Sequence, residues 1–82
     1  MKAKIKVYLK EAILDPQGKA VLHAINELNF KNAHDVRIGK YIEIRFNGAD
    51  REQVTRDTEK ICQKLLSNPV MENFDFEIEE SD

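Results

Sequence analysis

The stretch that most constrains the fold of this 82-residue chain lies near its middle, at residues 36–46, and reads VRIGKYIEIRF. Apolar residues at every second position are typical of a strand with one buried face. Lys40, directly after Gly39, takes an even-numbered position and breaks the pattern. The apolar residues of the stretch are all even-numbered: Val36, Ile38, Ile42, Ile44 and Phe46.

The break at Gly39 and Lys40 leaves two conformations open. A two-residue hairpin there is disfavoured, because it would place Val36 and Ile38 on the opposite face from Ile42. A three-residue loop pairs Ile38 with Ile42 and keeps a single apolar face. One long strand, kinked at Gly39, also keeps that face, and a strand that outruns its own sheet would indicate a partner chain.

Local patterns predict the elements on either side. Residues 3–10 alternate apolar and mostly basic side chains, which predicts a half-buried strand. Asp15 is a good N-cap for a helix that runs to about Leu28, and Asp50 caps a second helix. Residues 73–79, reading NFDFEIE, form the last strand. Its acidic outer face complements the basic face of the first strand, which predicts that the two lie side by side.

The order of elements is therefore β-α-β-α-β, or β-α-ββ-α-β if the centre forms a hairpin. The predicted fold class is α+β: a two-layer sandwich with ferredoxin-like character, in which a small sheet of three or four strands carries two helices on one face. We expect one domain over residues 1–82.

Composition excludes several classes of protein. The net charge of -2 and the scattered basic residues argue against nucleic acid as a partner. No apolar run approaches the roughly 18 residues of a membrane span, so we expect a cytoplasmic protein with no membrane partner. One cysteine, Cys62, leaves no internal disulfide and fits a reducing compartment.

The residues available for chemistry are few. His23 lies off the main apolar stripe of the first helix, and His34 lies in a connector. Cys62 lies beside the inward stripe of the second helix and is explained most simply as a core residue. No nucleophile–base pair, phosphate-binding loop or metal spacing is present. We therefore predict no catalytic, cofactor-binding or metal-binding residues.

Two short stretches are less ordinary. Gly18, in the sequence LDPQG, lies inside a helix, where it costs about 1 kcal/mol relative to Ala; it suggests a close approach by another chain. In VRIGK, Arg37 and Lys40 are either side chains at a surface kink or rim charges of a protein contact, and the residues alone favour neither.

Together these stretches resemble the PurS family, the small subunit of phosphoribosylformylglycinamidine synthase. LDPQG and VRIGK are separated by about one helix, and the resemblance spans nearly the whole chain. Asn29 departs from the family, which often has Gly there, but both residues tolerate a left-handed cap. The matching pieces are Leu14–Gly18, Ala20 with Val21, Leu28 with Phe30, Val36–Lys40, Glu43 and Asn68–Phe74.

The resemblance implies a subunit without an active site of its own. Family members form dimers or tetramers and bridge a glutaminase subunit, PurQ, and a large ATP-dependent synthetase subunit, PurL, in purine biosynthesis. Ammonia released from glutamine passes between the two. The complex is a ligase that uses ATP, Mg and glutamine, and the small subunit binds none of them.

The alternative function, from a different class, is a small dimeric regulatory domain that binds an effector near Gly39.

The resemblance to the PurS family also leads to a hypothesis about subunit contacts. The residues predicted to contribute to subunit contacts are Asp15, Pro16, Gln17, Gly18, Arg37, Gly39 and Lys40.

Overall fold

A computed structural model describes residues 1–48 and 50–80 of the chain. Its elements, in chain order, are β1 (Lys2–Leu9), α1 (Pro16–Glu27), β2 (Gly39–Arg45), α2 (Arg51–Ile61), a π-helical turn (Cys62–Leu66) that continues α2, and β3 (Glu72–Glu79).

The three strands form one antiparallel sheet in the order β2-β1-β3. The predicted neighbourhood of the first and last strands is confirmed. Lys4 lies opposite Glu77 on β3 and Glu43 on β2, and its Nζ atom is 2.6 Å from a carboxylate oxygen of Glu79. Charged side chains thus line the outer face of the sheet, and opposite charges across strands stabilise the pairing.

The core lies on the inner face of the sheet. Ile5 and Val7 of β1 are fully buried there. Helix α2 contacts β3, and its Val54 is fully buried as well. Cys62, at the start of the π-helical turn, joins the same cluster, as predicted. Burial of apolar surface stabilises the fold by roughly 25 cal/mol per Å², so β1 and α2 are the best-anchored elements.

Helix α1 begins and ends as the sequence predicts. Asp15 is its N-cap, with Pro16 in the first turn, and Asn29 adopts a φ of 72° just beyond its end. The helix nevertheless buries only Gly18, and Val21 and Leu28 remain 40% and 69% exposed. The chain is correspondingly long, 49 × 28 × 14 Å, with a radius of gyration of 16.3 Å against about 12 Å for a compact chain of this size.

The central stretch is not a hairpin. Strand β2 begins at Gly39 and pairs with β1 as an edge strand, while residues 33–38 precede it outside the sheet. Lys40 lies opposite Val7 and so shares the apolar face, with its Nζ atom 3.7 Å from Glu72. The break in the alternation at Lys40 therefore lies at the end of the sheet. There the Lys40 ammonium group, although on the inner face, is close enough to the Glu72 carboxylate to form an ion pair.

The fold class is confirmed as α+β with ferredoxin-like character. Within the described residues, no helix combines the length and the apolar character needed to cross a membrane.

Candidate interaction site at the start of helix α1

The Asp15 carboxylate joins the start of α1 to the segment that leads into β2. Its Oδ1 atom accepts the Gly18 N–H at 2.8 Å, and its Oδ2 atom accepts the Ile38 N–H at 2.7 Å. Asp15 is only 3% exposed. The bonds from Ile38 and Gly18, helped by the nearby positive charge of Arg37, outweigh desolvation and lower the pKa of Asp15. One ionised side chain therefore holds two segments that are distant in sequence.

Gly18 is required by contact within the chain. A Cβ atom there would lie 2.1 Å from the Val36 carbonyl oxygen and 2.9 Å from Oδ2 of Asp15. The close approach that the sequence suggested is thus real, but within the residues described it comes from the chain's own Val36. Glycine occupies this helical position because only a hydrogen atom fits between the helix backbone and the Val36 carbonyl group.

Arg37 lies on the other side of the same junction. Its Nη2 atom donates to the carbonyl oxygens of Lys10 at 3.0 Å and Ile13 at 2.9 Å. These carbonyls belong to the link between β1 and α1. Arg37 therefore holds that link against the segment before β2, and it has a structural role besides the predicted one at a subunit contact.

Gly39 and Lys40 open strand β2. A Cβ atom on Gly39 would lie 2.8 Å from the Val7 carbonyl oxygen, so a larger residue would push β2 away from β1 at this point. The Lys40 side chain is 58% exposed and, among residues 1–48 and 50–80, forms a long ion pair with Glu72 alone. Its charge therefore remains available on the surface.

A cleft of about 300 Å³ lies where these segments meet. Five of the seven predicted residues line it. Gly18 instead contacts the Val36 carbonyl, and Arg37 donates to the carbonyls of Lys10 and Ile13. Tyr8 and Glu72 also line the cleft and were missed, because their proximity to Gly39 follows from strand register and not from any local motif. The predicted residues in the cleft are Asp15, Pro16, Gln17, Gly39 and Lys40.

The geometry offers little for chemistry. Within residues 1–48 and 50–80, no group of three or more His, Cys, Asp or Glu side chains is placed to hold a metal ion. Burial, with the charge of Glu59, raises the pKa of the Cys62 thiol, which favours the protonated and unreactive form. The site is suited to contact with another molecule. Its role in subunit contacts remains a prediction.

Comparison with known proteins places the chain among its relatives. The profile of one protein family, described as "PurS: Phosphoribosylformylglycinamidine (FGAM) synthase", matches residues 2–80. The chain is 44% identical to phosphoribosylformylglycinamidine synthase subunit PurS of Bacillus subtilis over 79 residues, which cover 96% of this chain and 93% of the relative.

Solved structures give the same result. PurS of Methanocaldococcus jannaschii, described as one of the subunits of formylglycinamide ribonucleotide amidotransferase in the purine biosynthetic pathway, is 33% identical with a TM-score of 0.87, over 99% of this chain and 98% of that one. A chain in the PurLQS structure from Thermotoga maritima is 26% identical with a TM-score of 0.84, and the match covers 93% of both.

Proposed function

Because this chain belongs to the PurS family of phosphoribosylformylglycinamidine synthase subunits, we propose that it bridges a glutaminase subunit and a large ATP-dependent synthetase subunit without catalysing a step itself. The complex converts formylglycinamide ribonucleotide, glutamine and ATP into formylglycinamidine ribonucleotide, glutamate, ADP and phosphate, a step of purine biosynthesis. Ammonia released at the glutaminase site passes to the synthetase site.

The observation that carries this proposal is the match to a chain of the PurLQS structure, which covers 93% of both chains. The partners we propose are accordingly a glutaminase of the PurQ type, a synthetase of the PurL type and further copies of this chain. ATP, Mg and glutamine are bound by the partners and not by this subunit, and the complex is cytoplasmic.

The surface of the chain suits a scaffold. Val21, Leu28 and Phe30 are exposed large apolar residues on or just beyond α1, a helix that buries only Gly18. Apolar side chains grouped on an exposed helix are typical of a surface that a partner covers. A scaffold accelerates the overall reaction by holding two sites in register, because ammonia then travels a fixed path and does not escape to water.

Two charged residues at the site provide the test. Arg37→Ala combined with Lys40→Ala is expected to weaken assembly on gel filtration with the two partner subunits and to lower glutamine-dependent activity. The matched control is Arg56→Ala with Lys60→Ala, which removes the same charges from the exposed side of α2. Circular dichroism checks that both variants fold. If the Arg37 and Lys40 double variant folds but its assembly and activity are unchanged, the hypothesis that these residues contribute to subunit contacts is wrong.

The cleft beside Gly39 supports a second candidate function, a dimeric regulatory domain that binds a small effector. Its volume of about 300 Å³ is at the lower end for a small-molecule site. A thermal-shift screen of the isolated protein with amino acids and nucleotides separates the two candidates, because a ligand that binds only the folded state raises the melting temperature. The bridging role predicts no shift with any of them.

A further inference from the structure

Strand β3 forms the edge of the sheet that lies away from β2. The sheet order is β2-β1-β3, so β3 pairs with β1 on one side only. The β1–β3 ladder runs in one unbroken register, from Lys2 opposite Glu79 to Leu9 opposite Glu72, and therefore contains no β-bulge. The sequence of β3, ENFDFEIE, has no proline and no lysine. Bulges, prolines and lysines are the usual protection of an edge strand, so the edge of β3 keeps its capacity to pair with another strand.

The backbone groups of β3 alternate between β1 and the free edge. The Lys10 N–H donates to the Met71 carbonyl at 2.9 Å, and the same register continues along the strand, so the odd-numbered backbone groups face β1. The even-numbered groups face the free edge. In the part of the chain that the structure describes, three of these residues have no hydrogen-bond partner for their backbone N–H and C=O groups: Phe74, Phe76 and Ile78.

The side chains of the same three residues are apolar and only half-buried. They pack against the core on the inner face of the sheet, and the rings of Phe74 and Phe76 stack with their centroids 6.4 Å apart. A strand added beside β3 extends this inner face by one row of side chains. Because side chains of a strand alternate between the two faces, the added strand covers this row best if every second residue is apolar.

The outer face of β3 is acidic. Its carboxylates come from Asp75, Glu77 and Glu79, and the last of these accepts an ion pair from Lys4 at 2.6 Å. Among residues 1–48 and 50–80, Asp75 and Glu77 form no ion pair, although they lie opposite Lys6 and Lys4 on β1. Opposite charges at facing positions stabilise a strand pair. The outer face of an added strand therefore fits best if it carries lysine or arginine.

A second copy of β3 does not meet these two requirements. The antiparallel registers that overlap most of the strand and keep the two inner faces together oppose Asp75 to itself or to Glu77, and like charges at facing positions destabilise a pair. A shift of one residue places those carboxylates on the same face as phenylalanine rings. The strand that fits is of the type of β1, which already pairs with the other side of β3 and alternates apolar residues with lysine.

We propose that the free edge of β3 binds an extended segment of a partner subunit, in which lysine or arginine alternates with apolar residues, as an added strand of the sheet. This inference rests on the proposed function and specifies one surface by which the chain holds a partner. The edge is prepared for binding, because β1 already keeps β3 extended along its whole length. Main-chain hydrogen bonds supply affinity, and the two faces of the added strand select its sequence.

Residue-resolved hydrogen exchange tests the strand addition. The unsubstituted chain is exchanged alone, with the purified glutaminase subunit, with the purified synthetase subunit, and with both. We expect the amide hydrogens of Phe74, Phe76 and Ile78 to exchange at least about tenfold more slowly with the subunit that supplies the strand, because they then donate to it. The amides of Asp75 and Glu77 are the internal control, because they already face β1 and should change less.

The exchange experiment separates this inference from the proposed function. If a complex forms on gel filtration but the three even-numbered amides exchange as fast as in the free chain, strand addition is wrong and bridging stands. Equal slowing of the odd-numbered and even-numbered amides also contradicts strand addition, because it indicates that the whole of β3 is stabilised without a new partner for its edge. If neither subunit binds the unsubstituted chain, the proposed function is wrong as well.

Charge reversal on the outer face gives an independent readout. Asp75→Lys with Glu77→Lys opposes like charges to a basic strand, so we expect it to weaken binding of that subunit roughly tenfold. Asp75→Asn with Glu77→Gln removes the charges without reversing them and should cause a smaller loss; it serves if the first variant does not fold by circular dichroism. The matched control, Glu52→Lys with Glu59→Lys, changes the exposed side of α2 and should leave affinity unchanged. Unchanged affinity in a folded Asp75 and Glu77 variant would contradict the proposed charge pairing.

Discussion

At the scale of single residues, Asp15 decides how the two unusual stretches meet. Its carboxylate accepts one N–H from the first turn of α1 and one from Ile38, which lies 23 residues later. Gly18 lets the Val36 carbonyl approach, and Arg37 closes the junction from the other side. LDPQG and VRIGK are therefore two halves of one structural unit.

Replacing Asp15 with Asn tests that unit. The Asn side chain keeps one acceptor and can still cap α1, but it loses the charge and the second acceptor, so one of the N–H groups of Gly18 and Ile38 loses its partner. We expect the melting temperature at neutral pH to fall by roughly 4–8 °C, the shift that corresponds to about 1 kcal/mol in a chain of this size. The control is Asp50→Asn, which caps α2 through one N–H only and should lose less. Equal losses in the two variants would mean that the bond to Ile38 contributes little.

The same residue predicts a dependence on pH. The pKa of Asp15 is lowered in the folded chain, so its stabilising contribution is present above its unfolded pKa of about 4 and is lost as the pH falls through the lower folded value. The stability difference between the unsubstituted chain and Asp15→Asn should therefore shrink as the pH falls below 4. Thermal unfolding at a series of pH values measures it; a constant difference would argue against an ionised Asp15 in the fold.

For Gly18→Ala, the sign of the change in the free energy of unfolding is informative. Ala is favoured over Gly in an ordinary helix, but here its Cβ atom would meet the Val36 carbonyl at 2.1 Å. We expect the substitution to lower the free energy of unfolding by about 1–3 kcal/mol, because backbone must move to make room. Gln17→Ala, at the exposed neighbouring position, should be nearly neutral. Chemical denaturation of both proteins gives the comparison, and a stabilised Gly18→Ala protein would contradict the contact.

Thr58 is a buried polar residue in the core. Its hydroxyl group is fully buried and has no hydrogen-bond partner among the described residues. Thr58→Val keeps the shape and removes the unsatisfied group, so we expect the free energy of unfolding to rise by roughly 1 kcal/mol. Thr55→Val is the comparison, because that hydroxyl donates to the Arg51 carbonyl. A loss of stability in Thr58→Val would instead show that the hydroxyl group forms a stabilising hydrogen bond in the folded protein.

At the scale of elements, the sequence predicted what depends on neighbours along the chain. The first and last strands, the caps at Asp15 and Asp50 and the left-handed Asn29 follow from short patterns, and each is confirmed. The central strand is shorter than its pattern, because residues 36–38 lie outside the sheet. Whether residues 36–46 formed a hairpin or a strand was undetermined, because both keep Ile38 and Ile42 on one face. That choice depends on contacts with β1 and α1, which lie far away in the sequence.

The two helices differ in anchoring. Helix α2 contacts β3 and buries Val54 and Thr58, whereas α1 buries only Gly18. In the isolated subunit we expect the amide hydrogens of α1 to exchange faster with solvent than those of β1, because local opening of α1 exposes little apolar surface. Hydrogen exchange read by mass spectrometry measures both. Protection of α1 equal to that of β1 would show that another surface already covers the helix.

At the scale of the whole molecule, this chain combines a small buried core with a largely exposed helix α1 and a free sheet edge at β2. Its longest dimension is 49 Å, and its radius of gyration is larger than that of a compact chain of the same length. The charged outer face, the exposed apolar residues of α1 and the free edge of β2 give it several separate surfaces. A subunit that holds others in position needs such surfaces, and we propose that this chain uses them to hold the glutaminase against the synthetase.

Reconstitution with purified partner subunits tests that claim most directly. The formation of formylglycinamidine ribonucleotide is measured with and without this chain, first with glutamine and then with ammonium salt as the nitrogen source. If the chain positions the glutaminase, omitting it removes the glutamine-dependent activity and leaves the ammonium-dependent activity unchanged. Glutamine-dependent activity that is equally high without the chain would contradict the account.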